Sequence, residues 1–217
     1  MKAIMCREFG PPDCLRYEDI DAPTPGAGDV LIGVRAVGLN FHDLMVTMAP
    51  GEHGGAEPPF IPGGEAAGDV LAVGEKVSHF RPGEAVFTLQ VAGCLCEQIA
   101  VPEQTVMPIP EGMDYESAAA FSVANSTAYY ALVRRCRLAA GDNLMVLGAT
   151  GGVGLAAVQM GKALGATVFA AGGSDKKLQA AREYGADHLI NYATEDLPHK
   201  VKSDSGGSGI DVTIDLV

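Results

Sequence analysis

Basic residues are scarce in this chain: 15 Lys and Arg stand against 27 Asp and Glu, for a formal net charge of −12. The deficit is local. Residues 1–120 hold 6 basic and 18 acidic side chains, whereas residues 121–217 hold nine of each. An acidic front half repels a phosphate backbone, so no nucleic-acid partner is expected. The one basic knot, Arg134-Arg135-Cys136-Arg137, reads as a solvated helix face. Long apolar runs are missing too. No window has the length to cross a bilayer as a helix or the layout of a signal peptide, so no membrane partner and a cytoplasmic location are expected. The cysteines, Cys6, Cys14, Cys94, Cys96 and Cys136, are odd in number and lack framework spacing. That argues against a disulfide scaffold and for a reducing compartment. Cys94-Leu95-Cys96 has the wrong spacing for a zinc knuckle and no second pair, and its thiols are expected to alternate across a strand. Repeats and heptads are absent.

Against these absences stands a glycine cluster. Gly148-Ala149-Thr150-Gly151-Gly152-Val153-Gly154 follows the apolar run Asn143-Leu144-Met145-Val146-Leu147 and opens a helix through Gln159 and Leu164. A parallel strand ending in glycines lets the chain turn tightly and brings backbone N–H groups against a pyrophosphate. The next helix offers the positive end of its dipole to the same anion. Gly151 leaves room for the pyrophosphate, and Gly154 lets the helix lie close on the strand. Ala149 stands where the fingerprint usually has its first glycine. The loop is read as a dinucleotide site formed by Ala149, Thr150, Gly151, Gly152 and Val153.

The end of the next strand selects the dinucleotide. Thr167-Val168-Phe169-Ala170-Ala171 is followed by Gly172-Gly173-Ser174-Asp175-Lys176-Lys177. An NAD site places Asp or Glu at this tip to hold the ribose hydroxyls. Glycine at 172 removes a carboxylate that would repel a 2′-phosphate, while Ser174 and Lys177 can donate to one. Ser174 could instead serve only as a helix N-cap. The lysines could likewise be only a solvated helix start, a reading weakened because cations are not favoured at a helix N-terminus, and the expected cofactor is NADP(H).

The chain reads as two domains. Residues 1–120 hold short β-prone runs, Lys2–Cys6, Leu15–Ile20, Val30–Leu39, Ala66–Val73, Ala85–Leu89 and Leu95–Val101, separated by Pro/Gly turns; such spacing predicts a compact barrel-like domain. Residues 121–217 follow a helix capped by Asp114. They alternate strand and helix: Leu144–Leu147, a helix to Leu164, Thr167–Ala171, a helix over Lys176–Tyr184, His188–Ile190, and a fourth strand within Asp211–Val217. This is the rhythm of a doubly wound parallel sheet. The run from Ser203 to Gly209 reads as a polar loop. A sheet built around a switch point normally continues past its fourth strand, so a longer parent protein is expected.

Several segments together resemble a known family. Ile61-Pro62-Gly63-Gly64-Glu65-Ala66-Ala67-Gly68-Asp69-Val70-Leu71-Ala72-Val73-Gly74 looks like the signature of the quinone oxidoreductase and zeta-crystallin family, zinc-free members of the medium-chain dehydrogenase/reductase superfamily. Gly38-Leu39-Asn40-Phe41-His42-Asp43, Gly185-Ala186-Asp187-His188 and Ile190-Asn191-Tyr192 are similar to other segments of it. The resemblance implies an α/β protein with an N-terminal GroES-like β-barrel domain and an incomplete Rossmann domain, and a homodimer in the full-length form. In zinc-dependent relatives a His precedes the signature glutamate; that position is Gly64 here, so no metal is expected. Without a Lewis acid, hydride can still reach an activated acceptor whose developing charge is stabilised by hydrogen-bond donors. The resemblance therefore implies an NADPH-dependent reductase of quinones or α,β-unsaturated carbonyls. Alternatives are an enoyl-thioester reductase and a non-catalytic, crystallin-like cofactor-binding protein. Asn40 is the candidate donor near the nicotinamide, or else caps a turn, and Asp43 orients its loop. Thr127 matches a family contact near the nicotinamide, and Tyr192 either borders the adenosine side or only packs. Relatives place tyrosines near the Asn40 segment; His53 either replaces such a proton donor or is an exposed loop histidine.

Overall fold

The computed structural model describes residues 1–48 and 57–217, so His53 lies outside the described residues. The chain divides into two compact units, Met1–Val123 and Ala124–Val217.

In the first unit, β1 (Lys2–Met5) and β2 (Arg16–Asp19) form an antiparallel pair. The main sheet has five antiparallel strands: β3 (Asp29–Gly38), β4 (Glu65–Val73), β5 (Ala85–Leu89), β6 (Gln98–Pro102) and β7 (Val106–Pro108), in the order β6-β3-β4-β5-β7. The register of β3 on β4 shifts between Leu31 and Ile32 and again between Val34 and Ala36. Such irregularities bend a long strand, as a curled sheet needs. One face of the curl encloses Val30, Ile32, Val70, Val86, Cys94, Ile99 and Val101. The two thiols expected on opposite faces of a strand behave otherwise. β6 begins only at Gln98, and Cys94 and Cys96 both pack on this one core. The Cys96 thiol donates to the carbonyls of Gly93 and Gln98, each at 3.1 Å. A tight loop with Gly93 at φ +112° breaks the alternation that a strand would impose.

Among the described residues, short α-helices accompany these strands. α1 (Phe41–Met48) buries Asp43, Val46 and Thr47. α2 (Tyr115–Ala119) is capped as expected, the Asp114 carboxylate accepting from the Ser117 N–H at 2.7 Å. The Tyr115 hydroxyl donates to Asp69 Oδ1 at 2.5 Å, and Arg35 Nε donates to Asp69 Oδ2 at 2.8 Å, stapling α2 to β3 and β4.

The division between the units falls inside α3 (Ser122–Tyr129), which passes into a π-helical turn, Tyr130–Arg135. The second unit then builds four parallel strands, β8 (Asn143–Leu147), β9 (Thr167–Gly172), β10 (His188–Asn191) and β11 (Val212–Asp215), in the order β10-β9-β8-β11. Chain order reverses at β8, which makes the space beyond the carboxyl ends of β8 and β11 the switch point. The helices are α4 (Gly152–Ala163), α5 (Asp175–Glu183) and α6 (Leu197–Asp204). Leu144, Val146, Val168 and Ala170 of the sheet meet Ala157, Val158, Leu178 and Ala181 of the helices in one buried cluster. The segment read as a polar loop from Ser203 is helical through Asp204. Asp196 caps that helix by accepting from the His199 N–H at 2.8 Å, and Pro198 sits in its first turn, where a missing N–H is harmless.

Candidate functional site

The glycine loop leaves β8 at Gly148, whose φ of +74° suits glycine alone. A Cβ on Gly154 would collide with the Gly148 carbonyl oxygen, so the first turn of α4 can sit on its own loop only because residue 154 is glycine. Gly151 differs: its Cβ would find nothing nearer than 3.9 Å. Packing within the chain does not require glycine there. α4 starts at Gly152 behind a Gly151 N-cap that has no capping side chain, and no acidic residue stands in its first turn. A helix start leaves its first N–H groups without intrahelical partners. The exposed Gly151-Gly152 backbone therefore presents an uncapped dipole end, the arrangement that takes a phosphate. Ala149 contributes differently from its neighbours. It is fully buried and its N–H donates to Ala171 at 3.1 Å, so it shapes the turn and has no N–H left for a ligand.

The tip of β9 is built by close packing. Gly172 lies between Leu178 and Thr150, which a Cβ would approach to 3.1 and 3.3 Å. Gly173 lies under the ring of Tyr192, 3.3 Å from its Cβ position. Tyr192 follows directly on β10, donates its N–H to the Gly172 carbonyl at 3.2 Å and stays 43% exposed. Ser174 is the N-cap of α5, yet its side chain makes no capping bond. Lys177 is exposed in the first turn of α5. The acid that does stand here, Asp175, accepts from Asn191 Nδ2 at 2.9 Å. Gly172, Ser174, Lys177 and Tyr192 thus converge on one strand tip.

Thr127 is exposed on α3 and lines a groove of about 650 Å³ with Ser126, Tyr129, Tyr130, Ala131 and Arg134. The two tyrosines were not singled out from sequence, and Arg134 was read there only as part of a solvated basic knot. The structure adds a π-helical turn that begins at Tyr130, a feature found often at functional sites.

In the first unit, Asn40 precedes α1. Its N–H donates to Asp43 Oδ2 at 2.7 Å, and its carbonyl accepts from the Asp43 N–H at 3.0 Å. Asp43 therefore locks the entry to α1, in the manner of the back half of a capping box. The Asn40 side chain does not complete that box. Its Nδ2 donates to Glu65 Oε1 at 2.8 Å. The Cβ position of Gly64 lies 3.7 Å from Asp43 Oδ1, and Gly64 itself has no ligating atom. Among the described residues no three His, Cys, Asp or Glu side chains gather as a metal-binding set. Burial pushes the Cys94 thiol far up and the Cys96 thiol up to about 11, so neither is a ready thiolate at neutral pH.

Comparison with known proteins decides the family. Residues 26–111 match the alcohol dehydrogenase GroES-like domain, and residues 152–217 match the domain described as zinc-binding dehydrogenase. The whole chain is 34% identical to rat quinone oxidoreductase and spans 66% of that protein, slightly under two thirds. This chain belongs to the quinone oxidoreductase family. Among solved structures, a probable oxidoreductase from Mycobacterium abscessus shares 34% identity at a TM-score of 0.92, covering 99% of this chain and 69% of that one. The Escherichia coli quinone oxidoreductase complexed with NADPH shares 30% identity at a TM-score of 0.87, covering 97% of this chain and 64% of that one. The GroES-like domain followed by a Rossmann sheet is therefore the fold of a medium-chain dehydrogenase/reductase.

Proposed function

We propose that this protein is an NADPH-dependent reductase of quinones or α,β-unsaturated carbonyls that works without zinc, as a cytoplasmic homodimer in its full-length form. The observation that carries the cofactor reading is the tip of β9, where glycine replaces the ribose-binding acid and a non-capping Ser174 hydroxyl stands one helical turn from an exposed Lys177. A related quinone oxidoreductase solved with NADPH supports it. The uncapped start of α4 suits the pyrophosphate, Thr150, Gly151, Gly152 and Val153 forming its cradle, with Ala149 setting the turn. Tyr192 covers the adenosine side, and Thr127 is assigned to the nicotinamide end.

Bound NADPH supplies a hydride. The chain's part is to hold the acceptor and to offset the charge that develops on its oxygen. Asn40 is the residue assigned to that oxygen: one N–H goes to Glu65, and the second is left to donate. Asp43 fixes the backbone that carries it. Gly64 cannot ligate zinc, so a conjugated acceptor, which spreads the charge, fits better than an isolated carbonyl.

The test is steady-state oxidation of NADPH and NADH by the full-length protein with phenanthrenequinone, run beside an enoyl thioester. Turnover with NADPH and the quinone supports the reading. Turnover confined to the thioester moves the protein to enoyl reduction, and tight NADPH binding with no turnover makes it a binding protein.

A further inference from the structure

Glu65 is 2% exposed, at the first position of β4. A carboxylate so deeply buried is retained only when its oxygens are paired. Both are. Oε1 accepts from Asn40 Nδ2 and Oε2 accepts from the Val123 N–H, each at 2.8 Å. Val123 is the second residue of α3, so this carboxylate caps the first turn of that helix. The surrounding chain makes room for the arrangement. Gly38, at the end of β3, is in register with Glu65, and a Cβ there would strike Glu65 Oε1 and the Ala119 carbonyl.

We infer that Glu65 is the positioning residue of this site, a carboxylate that fixes which face of the Asn40 amide is offered to the bound molecules. The inference rests on the assignment of Asn40 to the reacting end. A carboxylate accepts only, so Asn40 must turn its NH₂ toward Glu65, and the amide cannot flip without setting oxygen against oxygen. The same geometry demands Glu rather than Gln at 65. Both partners are donors and a carboxamide has one acceptor oxygen, so Gln at this position must oppose an N–H to either Asn40 or Val123. The opposed donors meet at a partly buried position, and a donor left without an acceptor there is destabilising.

The experiment compares Asn40→Ala, Glu65→Gln, the double variant Asn40→Ala/Glu65→Gln and the exchange variant Asn40→Asp/Glu65→Gln in the full-length protein. Readouts are kcat and KM for phenanthrenequinone, NADPH affinity and the thermal midpoint. Misplacing a reacting group by a fraction of its size lowers rates by about 10- to 100-fold. Asn40→Ala and Glu65→Gln are expected to lower kcat by similar factors in that range, with NADPH affinity held within about threefold, and the double variant to lose no more than either single change. The exchange variant restores a donor–acceptor pair, so it should regain the thermal midpoint of the wild type without its kcat. If Asn40→Ala keeps full kcat, the assignment of Asn40 fails. If Asn40→Ala loses activity while folded Glu65→Gln keeps it, or if the two losses multiply, the positioning role fails and Glu65 is a structural cap. Should Glu65→Gln not fold, hydrogen exchange of the Asn40 side-chain amide in the wild type decides: one proton protected and one not is expected, and two fast protons overturn the inference.

Discussion

Gly154 stands against the carbonyl oxygen of Gly148, so close that no Cβ fits between them. Gly151, three residues earlier, has open space where its Cβ would be. Packing explains the first glycine and not the second, which is the one proposed above to leave room for the pyrophosphate. Gly154→Ala should lower stability by about 1–3 kcal/mol, as overpacking does, read by urea denaturation. Gly151→Ala should stay within about 1 kcal/mol of the wild type yet bind NADPH at least about tenfold more weakly. Equal stabilities, or unimpaired binding by Gly151→Ala, would refute the division.

Lys177→Ala should weaken NADPH by about 10- to 100-fold, the worth of one charge-assisted hydrogen bond, and leave NADH within about twofold. Ser174→Ala should weaken NADPH less. It should also leave the thermal midpoint nearly unchanged, because the hydroxyl makes no capping bond. A typical N-cap serine removed would lower stability by about 1 kcal/mol, so calorimetry of Ser174→Ala separates a phosphate ligand from a cap.

The parallel half was the more legible in the sequence. Strands covered on both faces become continuous apolar runs such as Leu144 to Leu147 and Val168 to Ala171, and the glycine loop marks the turn between strand and helix. α6 was missed because Leu197-Pro198-His199-Lys200-Val201-Lys202-Ser203-Asp204 is polar, with only Leu197 and Val201 packed inward; the Asp196 cap and Pro198 were its remaining signals. α1 was masked the other way. Its stripe Phe41, Leu44 and Met48 is exposed while Asp43 and Thr47 are buried, which inverts the usual pattern. Glu65 stood in a recognised signature, but its partners lie 25 residues before and 58 after it, a pairing that no local spacing discloses. A glutamate heading the buried run Glu65-Ala66-Ala67-Gly68 was the clue.

The Asp69 staple gives a pH dependence. Bonds from Tyr115 and then Arg35 hold the Asp69 carboxyl below its ordinary value. A depressed carboxyl stabilises the fold above its unfolded pKa, near 3.9, and that contribution is lost as pH falls through the folded value. Unfolding followed from pH 7 to pH 2 should show stability declining below about pH 4, and Asp69→Asn should show a shallower decline from a lower start. A parallel decline in both proteins would assign the acid sensitivity elsewhere.

Thiol reactivity should follow exposure. Cys136 is exposed, whereas Cys94 is fully buried and Cys96 has its thiol pushed up to about 11. Iodoacetamide at pH 8 should label Cys136 first and Cys94 and Cys96 only on unfolding, as peptide mass spectrometry would show. Early label on Cys94 would contradict the packing of that core.

Chelators should leave quinone reduction unchanged, since Gly64 cannot complete a zinc site. Loss of activity with EDTA, restored by zinc in proportion to about one ion per chain, would reverse that conclusion.

The sheet order has a consequence for how the second unit comes into being. β8 is the first strand of that unit to leave the ribosome and ends up between β9 and β11, and the Asn143 N–H waits for the Asp211 carboxylate 68 residues further along. Until β11 is made, then, one flank of β8 has no neighbour, and its apolar edge is open to any passing strand. The stretch between β10 and β11 is short on apolar residues and long on Asp, Ser and Gly, a composition ill suited to occupying that edge. That flank of β8 stays open to misassembly until Val212–Asp215 arrives.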